Sequence, residues 1–375
     1  MLFRVRAVAY ALILSLLVLK LVLSYHFVPK SITVGFDAII FLLCLFLFYI
    51  HSSVTGMIHL EIALLILICL LYTYTGFLYE IDGFKVFSAN IRFVNAFVVY
   101  IVFRDLLSHS NRHTSAMILS VVGFFVIVLG ILALPYNRNR GEVWFPSYID
   151  NLHTSAYVFA LCGVYLSYEF RSKPLIAVPV FVVVFFITSQ GFGVRTASIM
   201  MLIYLLLVSY WWLIKSREVR LILYFSGFVS VSILAIFFFD FQAISEVSSG
   251  RLHMYVQKAH SLYDNGPLKL IVGNGSGSDV VVSEVWGTEG GSHSDWITFL
   301  YEGGLLNIGL IITLLSVIWK GLKTNPAKAL FIGMLFTCTF SNGVLVRPSS
   351  AYLFFIFISR MNELPGTPKG REPGE

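Results

Sequence analysis

Residues 57–76, MIHLEIALLILICLLYTYTG, run for twenty positions with a single charged side chain, Glu61. About twenty mostly apolar residues are what a helix needs to cross the hydrocarbon core of a bilayer. Eleven further windows of the same kind are readable along the chain, at about 7–25, 32–50, 86–104, 115–134, 151–168, 174–190, 195–214, 219–239, 294–318, 327–342 and 349–360. The seventh and the last two are short, and the pair flanking Arg347 could be partly re-entrant. The expectation is an all-α, polytopic transmembrane helical bundle of about twelve helices. Residues 1–360 form one integral membrane domain, and the tail 361–375 (MNELPGTPKGREPGE) is expected to be disordered and cytoplasmic.

Composition supports the same reading. Of the 375 residues 58% are hydrophobic and 12% charged, and the mean hydropathy is +0.84. A soluble domain carries about a quarter charged residues, so a surface this poor in charge implies lipid as the solvent. The 34 Phe and 19 Tyr suit lipid-facing bulk and interfacial belts. Cys44, Cys69, Cys162 and Cys338 all sit inside apolar runs and read as small core residues, not as a disulfide or zinc framework. The net charge of +6 is spread through short loops and does not indicate nucleic acid. Arg4 and Arg6 precede an apolar stretch too long for a signal h-region, with no small-x-small cleavage site after it, so it reads as a retained first helix.

Lys and Arg orient the bundle. With the amino terminus inside, fifteen of the 26 basic residues fall on the cytoplasmic side and nine on the other, while Lys20 and Arg92 lie within helices. The long loop 240–293 then faces outward. Its SEVSSGRLHMYVQKAHSLYDNG opens on serines suited to an N-cap and continues with apolar residues near helical spacing. This predicts an amphipathic helix along the membrane surface, followed by a flexible GNGSGS stretch.

The outward face also carries the residues able to do chemistry. Arg195 closes the Gly-rich turn TSQGFGVR at a helix start. It either snorkels to headgroups or, beside free backbone N–H groups, forms an anion site. Arg251 opens the outer-loop helix, as a lipid-contacting surface arginine or as half of a clamp whose planar forks match a diphosphate. Arg138, Arg140 and Arg347 could extend that field, though each alone reads as solvated. His293, in GGSHSDWITFLYEGG, is either structural or a general base, since imidazole titrates near neutrality. Glu302 lies nine residues further, roughly 13 Å at 1.5 Å per residue, too far to touch His293. It is expected to pair with a cation or a backbone donor. Asp150, Asn151 and His153 stand at the entrance of the sixth helix; Asp150 or Asn151 reads as an N-cap, and the three could also hydrogen-bond sugar hydroxyls.

Several motifs are missing from the sequence. There is no Asp-x-Asp pair, no Walker A sequence, no H-E-x-x-H and no G-x-S-x-G. Asp37 and Glu61, the acids within spans, are not clustered, which weakens an ion-coupled pump.

The order TSQGFGVRTASIMM, SSGRLHMY, PLKLIVGNGSG and SHSDWITFLYEGGLLNIGL resembles the O-antigen polymerase and O-antigen ligase superfamily of bacterial membrane glycosyltransferases. The resemblance covers roughly residues 135–315. It implies that His293 activates an acceptor hydroxyl and that Arg195 and Arg251 hold the diphosphate of an undecaprenyl-diphosphate-linked oligosaccharide. Asn151, His153, Arg138, Arg140, Arg347 and Glu302 are secondary substrate-binding candidates. The DNLHTSAY stretch is similar to the family's Asn-containing segment, but Asp150 stands where a proline is usual, which puts that segment's role in doubt. The resemblance further implies chemistry with no metal and no cofactor. It implies a bacterial inner-membrane location with cytoplasmic termini and a periplasmic active site, and a chain-length regulator as a protein partner. The fairly short chain and modest outer loop favour a polymerase over a ligase, which must also seat lipid A-core. A polysaccharide flippase and a non-catalytic assembly partner are the readings from other classes.

Overall fold

The computed structural model describes residues 2–23, 30–55, 60–109, 112–133, 152–213, 251–282, 289–292, 294–340 and 343–363. Thirteen helices are found among them. In chain order they are α1 (Leu2–Leu23), α2 (Lys30–Thr55), α3 (Leu60–Leu78), α4 (Gly83–His109), α5 (Arg112–Ala133), α6 (Leu152–Glu169) and α7 (Pro174–Phe186), which runs into a π-helical turn at Ile187–Gly191. Then come α8 (Arg195–Leu213), α9 (Arg251–Asp264), α10 (Pro267–Val272), α11 (Asp295–Gly321), α12 (Asn325–Phe340) and α13 (Pro348–Met361). The one other regular element among the described residues is a two-residue antiparallel pair, Val281 with Gly290 and Val282 with Glu289. The expected span at 219–239 and most of the tail lie outside the described residues.

Among the described residues five helical segments are long and apolar enough to cross a membrane: Leu60–Leu78, Gly83–Asp105, His113–Leu132, Pro174–Gly191 and Asp295–Gly321. Ala11–Lys20, Val34–Leu47 and Arg195–Trp211 are shorter apolar stretches. Large apolar side chains stand bare on the outer helices, among them Leu70, Phe77, Phe124, Leu175 and Leu206. Apolar surface on that scale is compatible with a multi-pass membrane protein and costly in water.

Two of the helices, α6 and α13, are enclosed by the rest of the bundle. α13 is buried at every position from Ser349 to Met361, and α6 is buried continuously from Thr154 to Leu166. A helix apolar on all sides belongs in an interior. α13 packs against α4 and α6, α6 also meets α5, α7 and α8, and α12 lies along α8. Tyr165 stacks on Phe357 at 4.3 Å, and Phe97 and Tyr100 meet Phe355.

Two acidic groups inside the bundle, Asp37 and Glu61, are paired with cations on other helices. The Lys20 ammonium of α1 meets the Asp37 carboxylate of α2, and both are buried. Asp37 also accepts from the Tyr352 hydroxyl at 2.7 Å, while Asn95 donates to the Asp37 carbonyl and the Tyr352 hydroxyl, each at 2.8 Å. Arg104 donates to Glu61 at 2.7 Å.

α11 is broken where the sequence reads EGG. Gly304 has φ 65 and ψ −169, outside helical geometry. The break frees the carbonyls of Tyr301 and Glu302, which accept from the Asn274 and Gly275 amides at 2.9 and 2.8 Å. The glycine stretch 273–278, expected to be a flexible connector, is therefore docked on α11, because its amides satisfy carbonyls that the kink exposes. A Cβ on Gly304 would lie 2.3 Å from the Ile271 carbonyl oxygen, and one on Gly273 2.3 Å from that of Glu302. With its positive φ as well, Gly304→Ala is expected to destabilise the protein by more than about 1 kcal/mol. A melting curve of purified protein in detergent checks this, and a wild-type midpoint would refute the docking argument.

Candidate functional site

Hydrogen bonds gather one set of helix ends together. The Arg251 guanidinium at the start of α9 donates to the Phe340 carbonyl at the end of α12, at 3.0 Å. Ser294, capping α11, donates to the Cys338 carbonyl at 3.1 Å. Asp295, fully buried, accepts from the Gly343 and Leu345 amides at 2.6 and 3.1 Å and so holds the turn between α12 and α13. Arg347, in that turn, reaches Thr154 of α6 at 3.2 Å. One helical turn along α6, the Tyr157 hydroxyl meets that of Thr196, the residue after Arg195, at 2.7 Å. The starts of α6, α8, α9, α11 and α13 thus share one end of the bundle.

The opposite end is tied separately. There Arg360 pairs with Glu169 at 3.4 Å, and Thr324 donates to the Met361 carbonyl at 2.7 Å. A Cβ on Gly321 would lie 3.8 Å from the Tyr100 hydroxyl, which brings the Arg104–Glu61 pair to this end.

Three of the sequence-derived cations, Arg195, Arg251 and Arg347, lie at the first end. Arg195 is exposed, and no side-chain partner holds it among the described residues. Arg251 and Arg347 are half-buried. His153, also half-buried, is beside Thr154 and so shares this end. The π-helical turn that precedes Arg195 buries Thr188 fully, with its hydroxyl unbonded among the described residues. π-turns recur at functional sites. His293, Asn151, Asp150, Arg138 and Arg140 lie outside the described residues. The chain neighbours of His293 are nonetheless held: Ser294 by Cys338, and Ser292 by Asp279.

Glu302 is buried, and its carboxylate accepts from the Gly277 amide at 2.9 Å and more weakly from the Asp279 amide at 3.4 Å. The expected backbone donors are present, supplied by the glycine stretch. A cavity of about 290 Å³ between α2, α3 and α4, lined by Phe41, Cys69, Thr73, Phe77, Val86 and Asn90 among others, touches none of the three arginines.

Sequence reading missed the polar cluster beneath this end. The Lys258 ammonium, 1% exposed on its side chain, meets both the carboxylate and the carbonyl of Asp279 and donates to the Ser292 hydroxyl at 3.0 Å. Asp279 also accepts from the Ser292 amide at 2.9 Å and from Thr298 of α11 at 3.0 Å. Lys258 sits 5.1 Å from the Tyr301 ring centroid. Burial pulls the Lys258 amine below its ordinary value, and the Asp279 carboxylate acts in the opposite sense. A lysine touching a serine suggests a nucleophilic dyad, but Ser292 is fully buried and leaves no approach for a substrate. One signal was available: Arg251, Met254, Lys258 and Leu262 follow helical spacing, so the inward stripe of α9 carries two cations.

Comparison with known proteins finds no family model and no curated protein sequence that matches the chain.

Proposed function

We propose that the chain is a membrane glycosyltransferase that polymerises a lipid-linked glycan, such as O-antigen, with the Arg251 end facing the outer side. Supporting this reading is the gathering of Arg195, Arg251 and Arg347 at one end of an apolar helical bundle. Forked cations at that level suit a diphosphate whose polyprenyl chain stays in the bilayer.

In the proposed reaction an acceptor sugar hydroxyl attacks the anomeric carbon of an undecaprenyl-diphosphate-linked glycan. The new C–O bond forms as the bond from the anomeric carbon to the diphosphate oxygen breaks. Both electrons of the broken bond leave with undecaprenyl diphosphate. Arg195 and Arg251 face the charge that grows on that group, stabilising the transition state more than the ground state. His293, from the family resemblance, receives the hydroxyl proton. The acceptor is a second lipid-linked repeat unit.

A strain lacking the gene tests the proposal. A polymerase deletion leaves single repeats attached to the core, and the gene restores the polymer ladder. Accumulation of long lipid-linked polymer would instead assign the alternative, a ligase that uses lipid A-core as acceptor. An unaltered ladder in the deletion strain would defeat both.

A further inference from the structure

Lys258 lies seven residues after Arg251 on α9, so the two share a face at a separation of about 10 Å along the axis. Between and beyond them the inward stripe continues with Met254 and Leu262, both buried. A leucine at 258 would complete that stripe, and replacing a buried ion pair by apolar residues is often neutral or stabilising. What the ammonium adds is direction. Its partners Asp279 and Ser292 come from two separate segments, one following α10 and one leading into α11. Thr298 fastens Asp279 to α11 itself. The result fixes both the rotation and the axial position of α9, and at its other end the Arg251 guanidinium rests on the Phe340 carbonyl.

We infer that Lys258 is a positioning residue: through Asp279 and Ser292 it sets the register of α9 that presents Arg251 to the diphosphate. The inference rests on the reading of Arg251 as a diphosphate ligand. It makes the buried pair serve recognition instead of stability alone.

The test measures binding of farnesyl diphosphate, a soluble carrier analogue, to the full-length protein in detergent. It compares wild type, Arg251→Ala, Lys258→Met/Asp279→Asn, which removes both charges of the pair together, and the triple variant. Arg251→Ala is expected to weaken binding by about tenfold or more, as for loss of a charged hydrogen bond. The Lys258/Asp279 variant should weaken it nearly as much, the triple variant no further, and Lys258→Arg should retain most of it. Non-additivity of this kind marks residues acting as one unit. Wild-type affinity in the folded Lys258/Asp279 variant, or losses that multiply in the triple variant, would overturn the positioning role and leave Arg251's role intact. Unchanged binding in Arg251→Ala would instead overturn the diphosphate reading and the inference with it.

Discussion

Arg251→Ala is expected to abolish the polymer ladder while the protein stays at wild-type level in the membrane. Removing one preorganised donor from developing charge costs about 100- to 1,000-fold in rate. The structural cost should be small, because the bond from Arg251 to the Phe340 carbonyl is solvent-exposed and α9 is held independently by Lys258. Arg251→Lys should recover little of the loss, since an ammonium is a point charge and not a planar fork. His293→Ala should behave alike if the imidazole takes the acceptor proton. Gel analysis of surface polysaccharide, with immunoblotting of the membrane fraction, reads both quantities. A full ladder from a stably expressed Arg251→Ala protein would remove the group on which the mechanism turns.

The second large effect is on stability. Lys20→Met takes the ammonium away from the buried Asp37 carboxylate, and breaking such a pair by removing one partner costs about 3–5 kcal/mol. Asp37 sits where α1, α2, α4 and α13 converge, through Lys20, Asn95 and Tyr352. The loss should therefore appear as a lower melting midpoint of the whole bundle. Adding Asp37→Asn to Lys20→Met should recover most of it, because Asn keeps an acceptor for the Tyr352 hydroxyl and carries no charge. A single variant that melts with the wild type would show that the pair contributes nothing to the fold.

The pairing of Lys20 with Asp37 marks a boundary of what a linear reading reaches. Asp37 and Glu61 are correctly unclustered along the chain, yet each meets a cation in space: Lys20 lies 17 residues away and Arg104 lies 43 from its carboxylate partner. Lys258 was open to detection, because its helical spacing with Met254 and Leu262 put a charge in an apolar stripe. Its partners Asp279 and Ser292 were not, since no periodicity links residues on different segments. The glycines of GNGSGS read as freedom, whereas Gly273, Gly275 and Gly304 are positions of contact between two backbones.

Among the described residues, where the apolar helices run could be read from the sequence alone, because bilayer-length apolar windows are a local property of the chain. Tertiary structure alone decided that α6 and α13 form the interior and that α11 breaks at Gly304. Those outcomes depend on which apolar faces meet and which buried polar groups find partners, and such pairings are made between helices distant in sequence.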